Sequence, residues 1–99
     1  MDTYEIGDYV KRWGSFVDDA GLPADPHDIT AFITEPSGYV SMGTLGGGSI
    51  RRDRLGTFYW HMIAAIQGEW SIRWTCADSR IHAITEPDAF TVDSSIVNG

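Results

Sequence analysis

The chain has 99 residues, the size of one domain, and its 42% hydrophobic and 21% charged residues are typical of a globular protein. Its formal net charge of −7 disfavours nucleic acid and anionic membrane surfaces as ligands, because both repel an acidic protein. The longest apolar run, at 62–66, is far shorter than the roughly 20 residues of a membrane-spanning helix.

The N-terminal residues and the cysteine content predict a protein made in a reducing cytoplasm. Residues 1–7 contain neither the basic region nor the apolar region of a secretory signal. Cys76 is the only cysteine, so no disulfide forms within the chain.

Turn signals recur along the chain as clusters of Gly, Pro, Asp and Ser, of which Glu35-Pro36-Ser37-Gly38 is an example. The segments between them are about five to ten residues long, which is the spacing of an all-β sandwich or barrel. The predicted strands, in chain order, are Tyr9–Val17, Ile29–Thr34, Tyr39–Thr44, Ser49–Arg52, Thr57–Ile63, Glu69–Thr75, Arg80–Thr85 and Ala89–Val92.

The first predicted strand places one aromatic residue opposite its apolar face. If Val10, Gly14 and Phe16 face inward, then Trp13 faces outward, because side chains alternate along a strand. An exposed Trp is a good interface anchor, but Trp13 could instead cover the open end of a thin core. The neighbouring Arg12, like Lys11, is the kind of charge that protects an edge strand.

The clearest strands are those with aromatic residues at every second position. Phe58 and Trp60 share one face of the fifth predicted strand, and Trp70 and Trp74 share one face of the sixth. These four residues are the predicted core signature. A short helical turn at 62–67 is an alternative to an extended connection between the two strands.

The chain contains the motif D-x-x-G-x-P-x-D-P, which begins at Asp18, together with the turn Glu35–Gly38 and the aromatic strand segments described above. These motifs resemble those of small immunoglobulin-like domains of tailed phages and prophages, and the resemblance extends over residues 7–92. Arg12 stands where those domains usually carry an aliphatic residue. The matching segments are Gly7–Val10, Gly14–Pro26, Glu35–Gly38, Gly56–Trp60, Gly68–Trp74 and Phe90–Val92.

The resemblance implies an immunoglobulin-like antiparallel β-sandwich of about seven to eight strands, with one domain at 1–92 and a C-terminal tail at 93–99. It also implies a structural protein of the virion, located at the head–tail neck, in the tail or on the capsid surface, and made in the bacterial cytoplasm. Its partners would be other virion proteins and copies of itself. The alternative is a host-surface or carbohydrate-binding module, which requires an exposed aromatic platform.

Residue types used in catalytic and metal sites occur without the spacing that such sites need. Asp18 and Asp19 lie in a loop that lacks the Asp-x-Asp-x-Asp-Gly pattern of a calcium site, so a solvated turn is favoured. His61 and His82 would need two further zinc ligands, and Cys76 together with one carboxylate is a weakly supported choice for them. No Gly-x-Ser-x-Gly motif is present. We therefore expect a protein without catalytic residues, metal or cofactor.

The only basic cluster consists of Arg51, Arg52 and Arg54, which are three of the seven Lys and Arg residues. The cluster predicts contact with an acidic neighbour, including another copy of this acidic chain. The alternative is a solvated hairpin end. Together with Trp13, the three arginines are the predicted partner contacts.

Overall fold

The computed structural model describes residues 2–94, which form two β-sheets packed face to face. These residues contain nine strands and no helix, so the chain is an all-β sandwich. The strands are β1 Asp2–Glu5, β2 Tyr9–Asp18, β3 Ile29–Thr34, β4 Val40–Thr44, β5 Ile50–Arg54, β6 Thr57–Ile63, β7 Gly68–Cys76, β8 Ile81–Ala83 and β9 Asp88–Asp93.

The five-stranded sheet, called sheet A, has the order β1-β9-β7-β3-β4, and the four-stranded sheet B has the order β5-β6-β2-β8. All the named strand pairs are antiparallel except β1 with β9, which is parallel. The described residues form nine strands where about seven to eight were expected, and one of the strand pairs is parallel. The sandwich is confirmed, and its immunoglobulin-like identity stays a prediction.

Strand β1 accounts for the extra strand and for the parallel pair. It has four residues, of which Tyr4 is the one large apolar side chain, so no alternating pattern marks it in the sequence. The strand is held by pairing with β9 and by Tyr4, whose ring packs edge-on against Phe90 at 5.6 Å between centroids. Its stability thus comes from tertiary contacts.

The eight predicted strands all coincide with observed strands, with small differences at their ends. The alternative of a helical turn at 62–67 is wrong, because the backbone of Ala64 forms hydrogen bonds with the segment between β1 and β2 and not within a helical turn. Its N–H donates to the Asp8 carbonyl at 2.9 Å, and its carbonyl accepts from the Gly7 N–H at 2.8 Å. Strand β9 continues to Asp93, one residue into the predicted tail, and residues 95–99 of that tail lie outside the described residues.

The core lies between the sheets and is built from alternate residues of the strands. The predicted inward faces are confirmed: Phe58, Trp60, Trp70 and Trp74 are all buried. The other buried hydrophobic residues are Val10, Phe16, Ile29, Ala31, Ile33, Ile50, Ala64, Ile72, Phe90 and Val92.

Two inward-facing glycines receive the largest rings of the opposite sheet. A Cβ on Gly14 of β2 would lie 2.6 Å from Cε2 of Trp74, which is on β7. A Cβ on Gly43 of β4 would lie 3.1 Å from Cδ1 of Trp60, which is on β6. Each sheet therefore has a Trp that fills the space left by a glycine in the other sheet.

Gly14→Ala should destabilise the fold, because the added methyl group overlaps the Trp74 ring between two closely packed sheets. Overpacking of this kind costs about 1–3 kcal/mol of the free energy of unfolding, measured by chemical denaturation. Gly46→Ala is the matched control, since a Cβ there has no atom within 4 Å. Equal unfolding free energies for the two variants would contradict the close Gly14–Trp74 packing.

Candidate interaction surface

The outer face of sheet B is lined by aromatic side chains where β2 lies beside β6. Because Val10, Gly14 and Phe16 face the core, Tyr9, Lys11 and Trp13 at the alternate positions of β2 face outward, and their cross-strand partners on β6 do the same. Residue Arg51 of β5 is in register with Tyr59, so it belongs to the same surface. We call this surface the aromatic face; it consists of Tyr9, Lys11, Trp13, Arg51, Tyr59, His61 and Ile63.

The rings of the aromatic face contact one another in a continuous row. Ring centroids are 6.2 Å apart for Trp13 and Tyr59, 5.9 Å for Tyr59 and His61, and 5.8 Å for His61 and Tyr9. The Lys11 ammonium lies 4.5 Å from the centre of the Tyr59 ring and 5.8 Å from that of Tyr9, so both rings attract it. These contacts hold the side chains in place on a rigid sheet.

The aromatic face exposes more apolar surface than scattered single side chains would. Trp13 is 48% exposed, Tyr9 52% and Ile63 60%, and all three lie on adjacent strands. Large apolar side chains clustered on one exposed face are typical of interaction sites. Trp13 thus lies on the outer face, as the alternation predicts, and does not cover the end of the core.

The charge on the aromatic face is opposite to that of the whole chain. The outward positions of β2 and β6 include no carboxylate, although the chain has 14 acidic residues. Within residues 2–94, neither Lys11 nor Arg51 forms an ion pair. The fold therefore separates charge, and this face is suited to an acidic partner.

The structure divides the predicted arginine cluster. Arg51 joins the aromatic face, whereas the Arg52 Nε lies 2.9 Å from a carboxylate oxygen of Asp25. The Arg54 guanidinium lies 2.9 Å from the carboxylate of its neighbour Asp53. Of the four predicted partner contacts, Trp13 and Arg51 are therefore brought together, and the other two are engaged within the chain.

The residues considered for chemistry have ordinary structural contacts. One oxygen of the Asp18 carboxylate accepts hydrogen bonds from the backbone N–H groups of Ala20 and Leu22, as expected of a turn. His61 and His82 are separated by β2, because β6 and β8 lie on opposite sides of that strand.

Cys76, like the residues above, has the contacts of a structural side chain. Burial raises the pKa of the Cys76 thiol, which donates to the Ile81 carbonyl at 3.2 Å. A raised pKa leaves less of the reactive thiolate at neutral pH, so these contacts favour a structural thiol.

Comparisons of the chain with known protein families, curated proteins and solved structures gave no match. Across residues 2–94, no three side chains of His, Cys, Asp or Glu are grouped as ligands for a metal ion. In that same part of the chain, no helix has the length and apolar character needed to span a membrane.

Arg12 forms a site that sequence reasoning missed. Strand β2 is an interior strand of sheet B, so the expectation that Lys11 and Arg12 protect an edge is wrong. Its side chain is 11% exposed and reaches across to sheet A. There its Nε and one terminal nitrogen donate to the two oxygens of Asp88 at 2.6 and 2.7 Å, and the other terminal nitrogen donates to Asp2 at 2.6 Å and to the Tyr4 hydroxyl at 3.1 Å.

These contacts close one end of the sandwich. The guanidinium also lies 5.3 Å from the centre of the Phe90 ring, so it joins the polar network to the core. Hydrogen bonds to Asp88 raise the pKa of Arg12 above its ordinary value, although burial acts in the opposite direction. A cation whose pKa rises on folding stabilises the fold below its unfolded pKa, so this contribution is complete throughout the neutral range.

Arg12→Met should lower the free energy of unfolding by about 2–3 kcal/mol, because the Asp88 carboxylate loses its partly buried, bidentate hydrogen bonds to the guanidinium. Arg54→Met is the matched control, since its ion pair is exposed and its loss should change stability by no more than about 0.5 kcal/mol. Chemical denaturation compares the two variants. Similar losses would show that Arg12 does not link the sheets.

Proposed function

We propose that this chain is a non-enzymatic structural component of a phage particle, acting through protein–protein contacts of its aromatic face. The observation that carries the proposal is that Trp13 and Tyr9 are about half exposed on a rigid sheet, beside unpaired Lys11 and Arg51. The assignment to a phage rests on the motifs at residues 7–92, which resemble those of virion domains. The neck, the tail and the capsid surface are the locations that this resemblance supports.

The composition of the aromatic face fits a protein partner. Trp, Tyr and Arg are the residue types that most often supply binding energy at protein interfaces. Here Trp13 and Tyr59 are held by strand pairing and by contact with each other, so little side-chain freedom is lost on docking. The basic residues at the same face favour encounter with an acidic surface and fix its orientation.

The second candidate is a carbohydrate-binding module, which the exposed ring of Trp13 favours. A flat sugar chain stacks best on rings that lie in one plane. The planes of Trp13 and Tyr59 are inclined by 49°, and those of Tyr59 and His61 by 59°. The ammonium of Lys11 also occupies the space above the Tyr59 ring. These features favour the irregular surface of a protein.

The proposed partners are other virion proteins and copies of this chain, met during assembly in the bacterial cytoplasm. Weak contacts suffice there, because repetition around a symmetric particle multiplies their effect. Neither nucleic acid nor a membrane is part of the proposal, since the formal net charge is −7.

Particles purified from cells that produce this chain should contain it in a fixed copy number related to particle symmetry. Trp13→Ala should weaken incorporation roughly 30-fold, since truncation of a central Trp anchor costs about 2 kcal/mol. Tyr39→Ala is the matched control, because Tyr39 is an exposed aromatic residue away from the aromatic face. Quantitative mass spectrometry of the particles measures both variants.

Particles that lack the wild-type chain, or hold it in irregular trace amounts, would overturn the proposal. Incorporation of Trp13→Ala at the wild-type level would show that another surface makes the contact. Binding of the wild-type chain to glycans, lost in Trp13→Ala but kept in Tyr39→Ala, would instead establish the carbohydrate-binding alternative.

A further inference from the structure

The outer face of sheet A carries carboxylates at the end where β1, β9 and β7 lie side by side. Glu5 of β1 is in register with Asp93 of β9, and Glu69 of β7 is in register with Thr91 of the same strand. All three carboxylate residues are exposed. We call Glu5, Glu69 and Asp93 the acidic face.

The negative charge of the acidic face is not balanced locally. No ion pair joins its three carboxylates to a cation within the described part of the chain. Arg73, on the same outward side of β7, lies four residues from Glu69, which is about 13 Å along a strand. Its guanidinium lies 4.9 Å from the centre of the Phe32 ring.

We infer that copies of this chain associate head to tail, with the aromatic face of one copy docked on the acidic face of the next. The inference rests on the proposed function and names the partner of the same surface. The two faces are on opposite sheets of the sandwich, so one copy can use both at once. Such a contact repeats, and it closes into a ring or extends as a filament.

Charge decides between this arrangement and a symmetric dimer of two aromatic faces. A symmetric dimer would bring two copies of the same positively charged face together, and like charges at an interface are costly. The head-to-tail contact instead places Lys11 near carboxylates such as Glu69 and covers the exposed rings.

Salt should weaken the association, because Arg51 and the three carboxylates of the acidic face are exposed and the Debye length falls from about 10 Å at 0.1 M to about 3 Å at 1 M. We expect sedimentation of the wild-type chain to show larger species as its concentration rises, with at least tenfold weaker association at 1 M salt. A wild-type chain that stays monomeric at all concentrations would overturn the inference.

Charge reversal tests the direction of the contact. Lys11→Glu and Glu69→Lys should each weaken association at least tenfold, and the combined variant should recover at least tenfold over either single change. The matched controls are Arg80→Glu and Asp28→Lys, which make the same charge changes at exposed positions off both faces. Thermal unfolding of each variant confirms that it is folded.

A combined variant that associates no better than Lys11→Glu alone would overturn the head-to-tail contact, because a symmetric dimer gives that result. Failure of this inference is distinguishable from failure of the proposed function. If the wild-type chain is monomeric in solution but Trp13→Ala is still lost from particles, the neighbour is a different acidic protein. If neither Trp13→Ala nor Lys11→Glu affects incorporation into particles, the proposed function of the aromatic face fails as well.

Discussion

The close approach of the two sheets is the constraint on which the rest of the structure depends. It is set by Gly14 and Gly43, which leave room for Trp74 and Trp60 from the opposite sheet. A Cβ at Gly14 would overlap the Trp74 ring, and one at Gly43 would lie close enough to Trp60 to displace it slightly. The indole N–H of Trp74 has no hydrogen-bond partner among the described residues, so the ring is placed there by its shape.

Once the core is filled by rings from both sheets, the remaining large side chains lie on the outer faces. Alternation along β2 then forces Trp13 outward because Gly14 must face Trp74. Arg12 follows the same alternation and faces inward, where it is tolerated only because β1 and β9 supply carboxylates. The aromatic face and the Arg12 link between the sheets therefore both follow from the direction in which each β2 side chain points.

Much of this fold is readable in the sequence, because strands with one buried face alternate strictly. Trp70 and Trp74 belong to such a strand, and their burial follows from spacing alone. Strand β1 could not be read in this way, since each of its residues pairs with one that is 88 positions further along the chain and its own residues are mostly polar. Of the candidate surface, Trp13 and Arg51 were predicted, whereas Tyr9, Tyr59 and His61 were not recognised as one face.

The sequence by itself determined that the chain is all-β and that Phe58, Trp60, Trp70 and Trp74 are buried. All of these follow from local periodicity and turn chemistry. Only the tertiary structure decided which strands are neighbours, and so which exposed residues lie side by side. It separated Arg52 from Arg51 by giving it Asp25 as a partner, and it brought Lys11 to Tyr59. Exposed and charged residues form a continuous surface only when strand pairing places distant segments side by side, and no local sequence pattern encodes that pairing.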